Sequence, residues 1–337
     1  MIETSLIKVQ EQIDALHAFL NLIEFRDDRL SHPGSELSIH HSQGTPLRGA
    51  TVGDRRMRHC AVIVSLYSLY EFYVDSIAQE LLSFLPRHSS YDDLPEKLKQ
   101  RHRMGLGKIL SRKDYRQFKA LNEHDILDSY RGCIGSAQDY SIVGEAILFR
   151  TTNLRGESLR KIFSTMPFDP LWDYLVKHKS IVRFLEAEEE QKGIEELLSE
   201  LVELRNEVSH GVPDELIGVD RLRFWCTFLL KFCEALSDYA IHCITLKEIA
   251  LGQKYIGKVT ETFPRNGNVS IINARRGSIE IGSKLFAVLG HDVRSATVLS
   301  IQIEDDPVLG VSPTEGYFEV GVQTDTRLLK KSKVVLV

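Results

Sequence analysis

The chain has 337 residues, of which 43% are hydrophobic and 26% are charged. This composition is typical of folded globular proteins and excludes the disordered and fibrous classes, and the length indicates about two domains. The formal net charge of −5 excludes a protein that coats nucleic acid through overall charge, so any contact with nucleic acid must be local.

Cysteine usage and hydropathy exclude further classes of protein. The five cysteines are odd in number and scattered, which argues against a disulfide framework. Neither the cysteines nor the histidines have the spacing of a zinc site, and we predict no metal and no other cofactor. No run of about 18 uncharged apolar residues is present, and the N-terminus lacks the features of a signal peptide. We therefore expect a cytoplasmic protein that makes no membrane contact.

The N-terminal part of the chain predicts two helices separated by a long loop. Apolar residues recur at helical spacing in residues 2–25, whereas residues 31–53 are rich in Gly, Ser and Pro, which predicts a long loop. Loops of this length are often functional, so this one is a candidate to cover or approach a site. A long apolar helix is expected from Asp54 to Leu85. Because Glu71 lies within its aromatic run, this carboxylate must face water, pair with a cation or lie at a subunit boundary.

A basic segment follows at residues 97–119, KLKQRHRMGLGKILSRKDYRQFK, in which Asp114 is the only acid. Helices are expected at about 92–113, 114–130, 156–166 and 170–190. The basic segment is either a solvated helix face or a stripe that binds RNA phosphates, and both interpretations stay open. The RNA-binding candidates are Lys99, Arg101, Arg103, Lys108, Arg112 and Lys113.

Two more long helices complete the helical part. The segment EQKGIEELLSELVELRNEVSHG has apolar residues at helical spacing, and Gly211 and Pro213 are typical of a helix stop. A further apolar helix is expected to begin near Asp220. Two apolar helices joined by a short turn pack antiparallel, so residues 1–250 are predicted to form an all-α bundle.

From residue 252 the apolar period changes from 3.6 to 2. Six short strands separated by Gly, Asn and Pro turns are expected in residues 252–337. A small closed antiparallel β-barrel explains them best, because closure removes the exposed edges of a sheet. The predicted fold class is therefore multidomain α + β.

The predicted helix that ends in ELRNEVSHG carries a polar constellation. Asn206 and His210 are four residues apart, so the amide can hydrogen-bond the imidazole. Arg205 and His210 point about 140° apart and do not converge within one chain. Two copies of the helix around a twofold axis could bring them into one cleft, so a functional interpretation predicts a homodimer through this helix.

This constellation fits RNA cleavage by a ribose 2′-hydroxyl. The reaction needs a base, an acid and a cation for the charge on the phosphate. A histidine suits the first two roles, and an arginine suits the third without a metal. The alternative is a surface helix end in which Arg205 pairs with Glu203 or Glu207 and His210 complements the helix dipole.

A family resemblance favours the first interpretation. LVELRNEVSHG resembles the Arg-Asn-x3-His motif of HEPN domains, and SLYSLYEFYVDSI and NLRGESLRKIFSTM resemble segments of bacterial HEPN-like nucleases. The resemblance covers about residues 1–250. It implies a dimeric, metal-independent endoribonuclease of a toxin or phage-defence system, with Arg205 and His210 catalytic and Asn206 positioning. A noncatalytic RNA-binding or regulatory HEPN scaffold is the alternative.

The C-terminal part resembles a different family. YIGKVTETF, GSKLFAVLG and KKSKVVLV are similar to segments of the β-barrel second domain of translational GTPases such as elongation factor Tu. No Walker-type phosphate loop is present. The resemblance implies a targeting role towards tRNA or the ribosome, and a barrel that aids oligomerisation or senses a trigger is equally open. An antitoxin or a trigger protein is a further partner to expect.

Overall fold

The structure, a computed structural model, has helices in residues 2–251 and strands in residues 255–336. It confirms the predicted fold class, an all-α region followed by a small closed antiparallel β-barrel. The predicted loop of residues 31–53 lies almost wholly outside the described residues. Those described are 2–31, 52–115, 118–135, 140–210, 215–251, 254–264, 267–275, 277–290, 292–304, 306–312 and 318–336.

The described residues contain ten α-helices and a 3₁₀ helix at Leu85–Arg87. The predicted helix at 114–130 begins later than expected, because the side chain of Asn122 caps it by accepting a hydrogen bond from the amide of His124. The predicted helix at 170–190 is two helices. In chain order the helices are α1 (Ile2–Ser31), α2 (Val52–Phe84), α3 (Glu96–Leu110), α4 (Glu123–Ile134), α5 (Gly144–Leu148), α6 (Gly156–Phe163), α7 (Leu171–Leu175), α8 (Lys179–Ala187), α9 (Ile194–His210) and α10 (Val219–Leu251).

The helical core lies between the long helices. On α2 the side chains of Tyr70, Tyr73 and Ile77 are fully buried. The ring of Tyr70 meets that of Phe232 on α10 edge-on, with 5.7 Å between ring centroids. Burying one side chain of this kind contributes ~1.5–3 kcal/mol, so the aromatic face of α2 makes a large contribution to stability.

By length and hydropathy alone, one helix of the described chain also qualifies as a membrane span. The segment Arg55–Arg87 has a mean hydropathy of 1.3 over its scoring window. Core helices of soluble proteins can have the same properties. In this structure 44% of the window is buried. A single helix that meets a test of length and composition is weak evidence for a membrane span.

The chain divides into two compact units, Met1–Ser237 and Asp238–Val337. The division falls within α10, whereas the predicted boundary between residues 250 and 252 marks the change from helix to strand. That change occurs between Leu251 and Tyr255. The last turns of α10 therefore belong to the second unit.

The second unit contains nine strands among its described residues. These are β1 (Tyr255–Phe263), β2 (Val269–Ala274), β3 (Ile279–Glu280), β4 (Lys284–Leu289), β5 (Asp292–Ile303), β6 (Asp306–Val308), β7 (Gly310–Val311), β8 (Phe318–Thr324) and β9 (Lys333–Leu336). Six form a closed ring in the order β4-β9-β1-β2-β8-β5, and β5 pairs back to β4. Residues 278–289 contain two strands, β3 and β4, because Gly282 turns the chain with a φ of +88°.

Contacts from α3 set the position of α5. Gly105 packs so closely that a β-carbon added there would lie 2.0 Å from the backbone oxygen of Ala146. The Nε2 atom of His102 accepts a hydrogen bond from the amide of Val143 at 3.2 Å. Burial lowers the pKa of His102 to about 4, so the imidazole is neutral at physiological pH and keeps an acceptor nitrogen. These contacts fix where the chain enters α5 and how α5 lies against α3.

Replacing Gly105 by Ala tests this packing. The added methyl must displace the backbone of Ala146, and overpacking of this kind costs ~1–3 kcal/mol. At Gly107, on the same helix, an added β-carbon meets nothing within 4 Å, and Ala should stabilise the helix by up to about 1 kcal/mol. We expect Gly105→Ala to lower the free energy of unfolding in urea and Gly107→Ala to keep or raise it. Equal effects would contradict the close packing of α3 on α5.

Candidate functional site

The C-terminal end of α9 carries the three residues predicted to be catalytic or positioning. Leu197, Leu198 and other apolar residues of its first turns are buried and hold the helix against the core. Further along, Arg205 and Asn206 are half-buried, whereas His210, the last helical residue, is exposed. The predicted stop at Gly211 and Pro213 lies outside the described residues. The polar end of α9 therefore reaches the protein surface.

Arg205 is held by two neighbours and has no ion-pair partner among the described residues. Its guanidinium lies over the ring of Tyr67, 5.2 Å from the centroid, and its Nη1 donates to Oδ1 of Asn206 at 3.3 Å. Glu203, which the sequence offers as a partner, pairs with Arg155 at 3.1 Å. Because a guanidinium has five N–H donors, most of them stay available for an anion such as phosphate.

Asn206 is positioned by Asn153, which differs from the sequence-based expectation. Its Oδ1 accepts a hydrogen bond from Nδ2 of Asn153 at 2.5 Å as well as the bond from Arg205. Among the described residues no hydrogen bond joins Asn206 to His210. The carboxamide oxygen of Asn206 accepts from both Asn153 and Arg205. Asn206 therefore orients Arg205 rather than His210.

Tyr67 connects Arg205 to the core. Its side chain is 3% exposed, and its hydroxyl accepts from the amide of Leu154 at 3.0 Å and donates to Oε1 of Glu71 at 2.9 Å. Burial raises the pKa of Tyr67 to about 12, so the phenol keeps its proton at neutral pH. A ring fixed in this way offers a rigid surface to the guanidinium, and such cation–π contacts contribute ~0.5–2 kcal/mol.

Arg150 pairs with two carboxylates of α2. Its guanidinium donates to both oxygens of Asp75, at 2.8 and 3.2 Å, and to Oε1 of Glu71 at 3.1 Å. Burial raises the pKa of Asp75, and Arg150 offsets part of that effect. Of the three environments that the sequence allows for Glu71, the structure shows pairing with a cation.

A cleft of about 450 Å³ opens beside these residues. Its charged lining consists of Glu71, Asp75, Glu145, Arg150 and Arg205. Within the described residues, no three His, Cys, Asp or Glu side chains are placed to hold a metal ion. The cleft also has an apolar part, formed by Phe118, Leu148 and Phe149.

Four of the six basic residues predicted to bind RNA make contacts within the protein. Arg101 and Lys113 donate hydrogen bonds to backbone carbonyl oxygens, and Lys99 and Arg103 both pair with Glu96. These contacts use donors that a phosphate would need. Among the six candidates, these four are engaged within the protein, and only the remaining two have charged groups available to a ligand.

Lys108 and Arg112 are placed differently. The ammonium of Lys108 and the guanidinium of Arg112 lie 5.4 and 5.7 Å from the ring centroid of Phe149. Because Phe149 also lines the cleft, these two side chains bring positive charge close to the pocket that contains Arg205. Of the six candidates, these are the two whose charged groups make no hydrogen bond or ion pair with a described residue.

Sequence reasoning missed Tyr67, Arg150 and Asn153. The pattern does not separate Tyr67 from the core aromatic residues around it. Glu71 was the one usable signal, because a carboxylate in an apolar run requires a cation. The local sequence pattern does not show which arginine pairs with Glu71, because Arg150 lies 79 residues away and comes close only in the folded chain.

Comparisons with known proteins identify one family. A family model described as RiboL-PSP-HEPN matches residues 34–242, which is more than half of the chain. No curated protein sequence matches the chain. Among solved structures, the C-terminal domain of a Geobacillus thermoleovorans protein described as a U32 peptidase is similar over 25% of this chain and 93% of its own, at 11% identity and a TM-score of 0.22. A score this low carries no argument about fold or function.

Two neighbouring tyrosines test the hydrogen bonds behind the cleft. Tyr67→Phe keeps the ring but leaves the buried amide of Leu154 unpaired, which should lower the free energy of unfolding by ~1–3 kcal/mol. The hydroxyl of Tyr70 is buried without a hydrogen-bond partner among the described residues, so Tyr70→Phe should be neutral or stabilising. Urea unfolding of both variants measures the difference. Equal losses would contradict the role given to the Tyr67 hydroxyl.

Proposed function

Because the chain belongs to the RiboL-PSP-HEPN family, we propose that it is a metal-independent endoribonuclease. A ribose 2′-hydroxyl attacks the adjacent phosphate, the bond to the 5′-oxygen breaks, and the products carry a 2′,3′-cyclic phosphate and a 5′-hydroxyl. The observation that carries the proposal is Arg205, a half-buried arginine without a carboxylate partner among the described residues, at the edge of a cleft within the matched segment.

Arg205 stabilises the negative charge that builds up on the phosphate oxygens during attack. A guanidinium can donate two parallel hydrogen bonds to a phosphate. Tyr67 and Asn206 hold the group before the substrate arrives, so little reorganisation is needed when the charge develops.

His210 supplies the proton transfers. An imidazole gains and loses protons near neutral pH and can serve as the base for the 2′-hydroxyl or as the acid for the leaving oxygen. Its exposed position at the end of α9 leaves it accessible to a large substrate.

A complete site uses two chains. Arg205 and His210 are five residues apart on one helix and therefore point about 140° apart. In a homodimer that pairs through the ends of α9, the arginine of one chain and the histidine of the other meet at the same phosphate.

The proposal includes a biological role for the enzyme. Enzymes with this chemistry suit a toxin or phage-defence effector, which acts in the cytoplasm and is restrained by an antitoxin or released by a trigger protein. The resemblance of the barrel sequence to the second domain of translational GTPases supports tRNA or ribosome-associated RNA as the target.

Cleavage of total RNA in the presence of EDTA tests the mechanism. The purified protein should cut and leave 2′,3′-cyclic phosphate ends. Arg205→Ala and His210→Ala should each slow cleavage by at least about 100-fold, as loss of a charge-stabilising or proton-transferring group does. Arg205→Lys should recover little activity, because an ammonium cannot form the two parallel bonds of the fork.

Matched controls separate this result from general damage. Arg183→Ala on α8 and His124→Ala on α4 remove the same residue types from exposed positions and should cut at the wild-type rate. Activity that disappears with EDTA would contradict metal independence. RNA binding without any cleavage by the wild type would favour the noncatalytic RNA-binding or regulatory scaffold.

Mixing two inactive variants tests the composite site. When Arg205→Ala and His210→Ala proteins exchange subunits, each heterodimer keeps one arginine and one histidine that belong to different chains. Activity should return to about a quarter of the wild-type value, since half of the dimers are mixed and each has one intact site. If each site were built within a single chain, the mixture would stay inactive.

A further inference from the structure

The cleft beside Arg205 has a composition that selects one part of a nucleotide. We propose that it binds a nucleobase that carries an exocyclic amino group, namely adenine, cytosine or guanine, in preference to uracil. The proposal rests on the proposed function, since it assigns the base next to the phosphate that Arg205 contacts. The same chemistry could come from RNA or from a free nucleotide, and the experiments below distinguish the two sources.

Size and surface fit a base. The volume of about 450 Å³ lies within the range of ~300–1,000 Å³ that is typical of small-molecule sites. The apolar side chains of Phe118, Leu148 and Phe149 form one part of the lining and polar groups form the rest. Single-stranded RNA is commonly recognised by aromatic contact with the base and hydrogen bonds to its edge.

Charge decides which part of the nucleotide enters. The cleft contains three carboxylates, Glu71, Asp75 and Glu145, and two guanidinium groups, Arg150 and Arg205. Its formal charge is thus −1, which disfavours a phosphate inside the cleft. A neutral base has no such cost, while the phosphate can stay at Arg205.

Glu145 supplies the selectivity. Glu71 and Asp75 are occupied by Arg150, whereas Glu145 makes no hydrogen bond or ion pair with any described residue. An ionised carboxylate only accepts hydrogen bonds. The amino groups of adenine (N6), cytosine (N4) and guanine (N2) donate such bonds, whereas both exocyclic groups of uracil are acceptor oxygens. The one ring donor on that edge of uracil, N3–H, lies between these two oxygens, so a carboxylate that approaches it meets an acceptor on either side.

We assign the next phosphate of the RNA strand to Lys108 and Arg112. Both lie against the ring of Phe149, which lines the cleft. A strand whose base fills the cleft therefore has one phosphate at Arg205 and can place another near this basic pair. Phosphate contacts of this kind add affinity for every base and carry no selectivity.

Binding of the four nucleoside 3′-monophosphates to the full-length protein, measured by calorimetry, tests the proposal without requiring cleavage. The adenosine, cytidine and guanosine compounds should bind about 5- to 10-fold more tightly than the uridine compound, the effect of about one hydrogen bond. Glu145→Gln should reduce this ratio towards one, because an amide can also donate to O4 of uracil. Lys108→Ala with Arg112→Ala should leave the ratio unchanged. Equal binding of all four compounds by the wild type would overturn the proposal.

Glu157→Gln is the matched control, since it makes the same change at an exposed residue of α6 that does not line the cleft. It should keep the wild-type ratio, and the thermal unfolding midpoint of each variant reports whether it is folded. If Glu145→Gln is folded and keeps the wild-type ratio, Glu145 does not read the base and the proposal fails.

Mapping of cleavage sites separates RNA from a free nucleotide as the ligand. If RNA is read in the cleft, wild-type cuts should be depleted of uracil at one position beside the scissile bond, and Glu145→Gln should relax this depletion. RNA cleavage without any base preference would overturn the RNA arm and leave the proposed nuclease intact. Selective mononucleotide binding without any RNA cleavage would instead defeat the proposed nuclease and identify the cleft as a site for free nucleotides.

Discussion

The ion pairs of Arg150 with Glu71 and Asp75 are the constraint on which the helical region depends. Two carboxylates on the aromatic face of α2 need a cation because water reaches them only in part. In meeting this need, Arg150 fixes the segment after α5 against α2. From that segment Leu154 reaches Tyr67, and Asn153 reaches Asn206. The ion pairs that offset the charge of Glu71 and Asp75 therefore also position the residues that hold Arg205.

The sequence predicts what depends on local pattern and fails where distant segments meet. Apolar periodicity locates α1, α2, α9 and α10, and the change to period 2 locates the barrel strands, because both signals lie within one element. Arg205, Asn206 and His210 stand out by spacing on one helix. The partner of Asn206 could not be foreseen, since Asn153 is brought to it only by the fold, through the packing of α5 on α3 and the ion pairs of Arg150 with α2. Likewise, the sequence predicts one continuous basic stripe, whereas in the structure several of its side chains bind Glu96 or backbone oxygens.

Under the proposed function, an acidic protein acts on RNA through charges that are sorted over short distances. The net charge of −5 gives no long-range attraction, so recognition must come from a few cations whose donors are not already used. Arg205 lacks a carboxylate partner among the described residues, and Lys108 and Arg112 rest on an aromatic ring. The carboxylates of the cleft lie among these cations and allow a neutral base beside a bound phosphate. The two proposals thus assign base selectivity and RNA affinity to different side chains.

Tyr67 has a consequence for how this protein can change in evolution. Its ring supports Arg205, while its hydroxyl satisfies the buried amide of Leu154 and contacts Glu71. Under the proposed function, loss of Arg205 would end catalysis and cost the fold only its contacts with Tyr67 and Asn206, whereas loss of the phenol would damage the fold whether or not RNA is cut. A lineage that abandons cleavage and keeps the protein as a scaffold would therefore lose the arginine first. The tyrosine would persist there as a trace of the former site.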